Sequence, residues 1–212
     1  VYVNLFVASD AAIGINETRV DFRQKTDYPR SGHIEIQLNP KRPVEFTLRV
    51  RIPGWTRNNP VPSDLYRYAE NSQATASIQV NQDRVPFTLE RGYAVITRSW
   101  KTGDTVVLDL PMPVRRVTCH EQVKSNLGKV ALERGPIVYC AEGADNNGKV
   151  LDLVLPDAAT LHARFRPDLL NGVVVIEAEN TPRRFIAIPY HSWLNRGQNE
   201  MTVWFARQAK QQ

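Results

Sequence analysis

The chain has 212 residues, 42% of them hydrophobic and 23% charged, with a formal net charge of +5. That length accommodates one large or two small domains of about 100–150 residues, and the composition is that of a globular chain rather than a disordered one. The basic residues are scattered singly or in pairs such as Arg115–Arg116 and Arg183–Arg184, so the positive balance reads as solvated surface and gives no reason to expect a nucleic-acid partner.

The chain opens on the apolar stretch Val1-Tyr2-Val3-Asn4-Leu5-Phe6-Val7. With no initiating Met, basic segment or cleavage pattern before it, a piece of a longer chain is expected, and its compartment stays open. Residues 33–38 alternate, with Ile34, Ile36 and Leu38 on one side and His33, Glu35 and Gln37 on the other. The clearest alternation is Val44-Glu45-Phe46-Thr47-Leu48-Arg49-Val50-Arg51-Ile52, a strand with one wet face. It stops at Pro53-Gly54, a turn signal. Residues 64–70 predict a turn or two of helix. Strands are predicted over 76–80 and 85–89, with Asn81-Gln82-Asp83-Arg84 as the turn between them, and over 93–98 and 105–110, joined by Lys101-Thr102-Gly103-Asp104. Gly103 supplies the positive φ that a tight hairpin needs. Leu110-Pro111-Met112-Pro113 breaks the pattern, which divides the chain into domains 1–112 and 113–212. Beyond it, strands are predicted over 114–119, 129–132, 137–140, 150–155, 172–177, 185–189 and 201–206, with a second short helix over 156–161. The 14 prolines oppose longer helices. The predicted fold class is therefore all-β, two consecutive antiparallel β-sandwich domains with very little helix. Apolar runs such as 173–176 fall far short of the ~20 residues of a membrane helix, and no membrane partner is expected.

Chemistry is sparse. His33, His120, His162 and His191 stand far apart, and neither a Gly-x-Ser-x-Gly elbow nor a glycine-rich phosphate loop occurs. Cys119 and Cys140 read as two reduced, partly buried thiols, with pairing between them left open. Most of the acidic residues occupy alternating strand positions or turns, where solvation explains them, and Glu177 with Glu179 reads as a wet face. No catalytic, metal or cofactor residue is expected in the chain. The aromatic residues are more informative, because flat rings stack on the C–H faces of sugars and also plug apolar gaps. Trp55 follows Pro53-Gly54, and Trp100 precedes the Lys101–Asp104 turn. Tyr190, His191 and Trp193 share a polar loop with Asn195, Arg196 and Gly197. Trp55, Tyr190, His191, Trp193, Asn195 and Arg196 are thus the candidate contacts, either with a neighbouring domain or with a carbohydrate.

One ordered set of motifs runs through nearly the whole chain. Leu48-Arg49-Val50-Arg51-Ile52-Pro53-Gly54-Trp55 comes first, followed by Gly92-Tyr93, Arg98-Ser99-Trp100-Lys101-Thr102-Gly103-Asp104 and Leu110-Pro111-Met112. Then come Gly128-Lys129-Val130-Ala131-Leu132-Glu133-Arg134-Gly135-Pro136-Ile137-Val138-Tyr139-Cys140, Ile188-Pro189-Tyr190, Trp193-Leu194-Asn195-Arg196-Gly197 and Glu200-Met201-Thr202-Val203-Trp204. The set resembles the region after the catalytic barrel in glycoside hydrolase family 127, the β-L-arabinofuranosidases. The resemblance implies a bacterial enzyme in which an (α/α)6 barrel precedes two β-sandwich domains. It also implies that a cysteine nucleophile and a zinc site of glutamate and cysteines lie in that barrel. The adjacent-cysteine motif carrying that chemistry has no match here, so those roles are not carried over to Cys119 or Cys140. The resemblance makes the barrel the expected partner, with a second copy of the chain or a weakly held carbohydrate as further candidates.

Overall fold

Period-two alternation does become paired strands. The computed structural model describes residues 1–209. Its first strands are β1 (Tyr2–Val3), β2 (Ser9–Ile15), β3 (Thr18–Thr26), β4 (His33–Pro40) and β5 (Val44–Arg51), followed by a 3₁₀ turn at Gly54–Arg57. After β6 (Tyr66–Tyr68) come β7 (Ser77–Val80), β8 (Asp83–Arg84), β9 (Thr88–Glu90), β10 (Tyr93–Trp100) and β11 (Asp104–Asp109). The remainder contains β12 (Val114–Cys119), β13 (Lys129–Arg134), β14 (Ile137–Glu142), β15 (Thr160–Arg166), β16 (Val173–Glu179), β17 (Phe185–Pro189), β18 (Met201–Thr202) and β19 (Phe205–Ala206). The chain is all-β. Pairing is antiparallel apart from β1 against β5 and an isolated bridge between Val154 and Ala206. Among the described residues helix is confined to single 3₁₀ turns, and none of these is long and apolar enough to cross a membrane.

Contacts separate the chain into two units. Unit 1 comprises Val1–Arg57 and Gln73–Met112, while Asn58–Ser72 joins unit 2 with the chain from Pro113 onward. The excursion of Asn58–Ser72 into unit 2 has no local signal in the sequence.

Unit 1 is a sandwich of two sheets, in the orders β1-β5-β10-β9 and β2-β3-β4-β11-β7-β8. The predicted alternation places Leu48 and Val50 of β5 with Ala94 and Ile96 of β10 on one inner face. Ile34, Ile36, Leu38, Val106 and Leu108 supply the other, and all join one apolar cluster. Burying a Leu or Ile side chain contributes roughly 1.5–3 kcal/mol. Trp100 is fully buried in this cluster and donates its indole N–H to the carbonyl of Phe46 at 3.0 Å. Gly103 has φ +87° at the β10–β11 turn, as its position predicts. The sequence reading omits the β2–β3 hairpin because its apolar residues are few. Its two-residue turn, Asn16-Glu17, has φ values of 45° and 60°, so Glu17 occupies a place where glycine is the usual signal. The turn predicted over 81–84 is tighter than expected. Asn81 and Gln82 form it, Asp83–Arg84 already pairs with β7, the N–H of Val85 still bonds to the carbonyl of Ile78 at 3.0 Å, and β9 begins only at Thr88.

In unit 2 one sheet runs β15-β16-β17-β14-β13-β12-β6, with β18 and β19 pairing β14 and β13. Its central strands are buried on both faces. Leu132, Tyr139, Ile176, Phe185 and Phe205 lie in one cluster, and Cys140, Val175, Ile186 and Ile188 lie in another. Three expectations are corrected here. Residues 64–70 are not helical: Tyr66 and Tyr68 alternate with Arg67 and pair with Cys119 and Val117 as β6. Residues 156–161 give way to β15, which starts at Thr160. Residues 150–155 form a turn rather than a strand, because the Glu200 carboxylate accepts from the N–H groups of Val150 (2.9 Å) and Leu151 (3.4 Å).

Candidate interaction site

The polar loop after β17 is the most organised surface feature among the predicted residues. Tyr190–Ser192 makes a 3₁₀ turn, and the N–H of Trp193 bonds to the carbonyl of Tyr190 at 3.1 Å. Leu194 and Gly197 then adopt φ values of 69° and 90°. A leucine in the left-handed region costs energy and persists only when its surroundings hold it. Here the holding group is Glu142, at the end of β14, whose Oε1 accepts from the Leu194 N–H at 3.2 Å.

Glu142 is fully buried, so its charge needs partners. Oε1 also accepts from Asn199 Nδ2 at 3.0 Å, and Oε2 accepts from the Arg196 guanidinium. Arg196 reaches both oxygens of Asp145 in a fork, with Nη1 at 2.8 Å from Oδ1 and Nη2 at 2.5 Å from Oδ2. The Asp145 and Glu142 carboxylates raise the pKa of Arg196. Asn146 secures the floor beneath: its Nδ2 donates to the carbonyls of Glu142 and Ile186, and its Oδ1 accepts from the Ile186 N–H, each at 2.9 Å. Arg196 therefore turns inward as an anchor and is not a surface contact.

The anchored loop displays its other residues outward. The rings of Tyr190 and Trp193 lie 6.3 Å apart with 13° between their planes. Trp193 is half-buried against the cluster of Cys140, Val175 and Ile188, while Tyr190 is 46% exposed. His191 and Asn195 are exposed, and Asn195 steadies the loop by donating to the Ser192 carbonyl at 2.9 Å. Leu194 is 48% exposed, an apolar side chain not singled out from the sequence. Trp55 belongs to unit 1, where it sits in the Gly54–Arg57 turn and packs against the core. Burial pushes the neighbouring Tyr28 phenol up, an effect opposed by the Trp55 N–H and by Arg51. Trp55 thus closes the end of a sandwich.

The residues the sequence reading missed are Glu142, Asp145, Asn146 and Asn199. Glu142 carried a faint signal, since it directly follows the apolar run 137–141. Its partners lie 52–57 residues away in sequence, beyond the reach of any local pattern.

The cysteines do not fit a zinc site. Cys140 is fully buried, and burial together with the Glu142 and Asp145 carboxylates pushes its thiol up to about 12, whereas zinc binds thiolate. Cys119 and Cys140 are both unbridged, and no trio of His, Cys, Asp or Glu side chains converges on a common point among the described residues.

Residues 1–112 match the family model described as the GH127 middle domain of beta-L-arabinofuranosidase, and residues 114–206 match the glycoside hydrolase family 127 C-terminal domain. A curated non-reducing end beta-L-arabinofuranosidase from Bifidobacterium longum subsp. longum is 29% identical over 232 residues, covering 95% of this chain and 32% of its own length. A solved GH127 beta-arabinofuranosidase superimposes with a TM-score of 0.91 at 34% identity, covering 98% of this chain and 34% of that one. A solved GH127 beta-L-arabinofuranosidase from Geobacillus stearothermophilus T6 gives 0.82 at 38% identity, covering 97% and 33%. The chain thus spans about a third of the length of the relatives it matches.

Proposed function

Because the chain belongs to glycoside hydrolase family 127, we propose that it is the non-catalytic β-sandwich part of a bacterial glycoside hydrolase acting on β-L-arabinofuranosides or related glycosides. Its role is to dock on and stabilise the enzyme's catalytic barrel. The observation that carries this reading is the match to the family's middle and C-terminal domains over nearly the whole chain. Docking is assigned to the loop of residues 190–197 because a buried ion cluster fixes its backbone while Tyr190, His191, Leu194 and Asn195 face outward. A surface held at that energetic cost suits a rigid contact, which loses little entropy on association.

Two measurements test the reading. Hydrolysis of p-nitrophenyl β-L-arabinofuranoside is expected from the full-length enzyme and not from this chain, with zinc and reductant present in both assays. Tyr190→Ala should leave the melting temperature of this chain within about 2 °C of the parent value, as exposed substitutions do, while lowering that of the full-length enzyme by more. Activity in the chain itself overturns the non-catalytic reading, and equal insensitivity of both proteins to Tyr190→Ala overturns docking through this loop.

A second reading rests on the near-parallel rings of Tyr190 and Trp193, a geometry suited to stacking against a sugar. It expects tryptophan fluorescence to respond to arabino-oligosaccharides at roughly millimolar concentration, weak affinity being typical of small contacts. A flat titration removes it.

A further inference from the structure

Unit 2 contains a cavity of about 210 Å3 beside the end of β6. Its walls are the segment leaving β6, with Glu70 and Asn71, the start of β12, with Val114, Arg115 and Arg116, and Leu161 of β15. Neighbouring residues on a strand point to opposite faces, yet Arg115 and Arg116 line the same cavity. They do so because it opens at the edge of the sheet: the Ala69 N–H bonds to the Arg116 carbonyl at 2.9 Å, and beyond it the pairing of β6 with β12 stops.

The two guanidiniums are held in place without being neutralised. Arg115 lies over the Tyr68 ring, 3.4 Å from its centroid, and its Nη2 donates to the Glu70 carbonyl at 2.5 Å. Arg116 Nη2 donates to the Ala159 carbonyl at 2.6 Å. Arg19, Arg23, Arg183 and Arg207 all find a carboxylate on the open surface. These two half-buried arginines, among the described residues, form no ion pair. Arg116 Nη1 is buried without an acceptor, a costly state for a donor. Burial above all lowers the pKa of both side chains, opposed at Arg115 by Tyr68 and Glu133 and at Arg116 by Asp157 and Glu70. A pair that reads as solvated surface in the sequence is thus a shielded double positive charge short of an acceptor.

We propose that this cavity binds a uronate, a single sugar ring bearing a carboxylate. The carboxylate bridges the Arg115 and Arg116 guanidiniums and supplies Arg116 with the acceptor it lacks, since a planar two-oxygen group matches a guanidinium fork. Size argues for a ring and against a bare ion: about 210 Å3 is several times the ~30 Å3 share of one water. The remaining walls suit a ring as well. Val114 and Leu161 offer an apolar surface to its C–H face, and the exposed Asn71 amide both donates and accepts, as hydroxyls require. Glu70, also exposed, stands in the wall and repels a carboxylate. Even so, a net positive charge remains across the two arginines and Glu70, and a neutral sugar would leave it unanswered.

The cavity shares no residue with the loop at residues 190–197, so this inference stands or falls separately from docking. Titration calorimetry of the chain with D-galacturonate should show one site with a Kd on the order of 1 mM, ordinary for a ligand of that size. D-galactose, which carries a hydroxymethyl group in place of the carboxylate, should bind at least about tenfold more weakly, and so should inorganic phosphate. Arg116→Met keeps the apolar stem and removes the fork. It should weaken galacturonate at least about tenfold with an unchanged circular dichroism spectrum. Glu70→Gln changes an exposed side chain and should tighten galacturonate by about twofold, a gain that added salt diminishes. No binding at about 20 mM galacturonate, galactose or phosphate binding as tightly as galacturonate, or a folded Arg116→Met chain with unchanged affinity overturns the proposal. Weaker binding by Glu70→Gln also overturns it, because that carboxylate would then be gripping hydroxyls; if Arg116→Met fails to fold, the sign of the Glu70→Gln effect decides.

Discussion

Replacing Arg196 with alanine removes the cation that holds a fully buried carboxylate. Glu142 has no exposed side-chain surface, Asp145 retains 12% and Arg196 24%. The variant therefore leaves one carboxylate in the interior with only the Leu194 N–H and Asn199 amide as donors. Breaking a buried pair from one side typically costs about 3–5 kcal/mol, and the partial exposure of Arg196 favours the lower figure. A loss of about 3 kcal/mol corresponds to roughly two decades of protection, at about 1.4 kcal/mol per decade. The assay is hydrogen exchange on peptides covering β14 and β17, where Glu142 and Asn146 tie the loop to the sheet. Arg196→Lys keeps the charge but cannot fork between two carboxylates, and should lose about 1–2 kcal/mol. Combining Glu142→Gln with Arg196→Met removes both charges and should cost less than the sum of the two single changes. A protection loss under about fivefold for Arg196→Ala, or strict additivity in that cycle, would show that the cluster does not hold the loop.

Two further outcomes follow from groups whose protonation the fold perturbs. Burial raises the pKa of Glu133 above its ordinary 4.5, opposed by the Tyr68 hydroxyl bond and by Arg115. The fold therefore favours its protonated form, so the stability it contributes is fully present below the unfolded value and is lost as pH rises through the folded one. Glu133→Gln should melt higher than the parent chain at pH 7–8, with the difference closing toward pH 4; a lower melting temperature for the glutamine variant at pH 8 contradicts this. Cys140, with its thiol pushed up to about 12, should ignore a thiol reagent at pH 8 in a Cys119→Ser chain and react fully in urea. Rapid labelling of the folded chain would show that its cover is open.

What was legible in the sequence was whatever local chemistry determines. The even-numbered apolar residues of 44–50 became the inner face of β5, and Gly103 marked its turn by the φ it had to adopt. The failures share a cause of a different kind. Tyr66 and Tyr68 become a strand because Val117 and Cys119 offer them an edge about fifty residues later in the chain, and no window around residue 66 contains that edge. The turn at 150–155 depends on the side chain of Glu200. Arg196 looked like surface because arginines in polar loops usually are, and only its distant partners Glu142 and Asp145 turn it inward. The ordered motifs identified the family without revealing any of these contacts, since a motif records which residues occur and not which ones meet.

The excursion of Asn58–Ser72 has a consequence for synthesis. When the ribosome has completed Gln73–Met112, unit 1 has all its strands, but β6 is still waiting for β12. At about 5–20 residues per second, β12 and β13 follow within a few seconds. During that interval the aromatic face of Tyr66 and Tyr68 has no partner in its own chain, and on a crowded polysome it can meet the β12 of a neighbouring chain instead. The segment by which the chain enters unit 2 and returns to unit 1 is thus also the point at which nascent copies can exchange strands, and slower translation before residue 114 would lengthen the exposure.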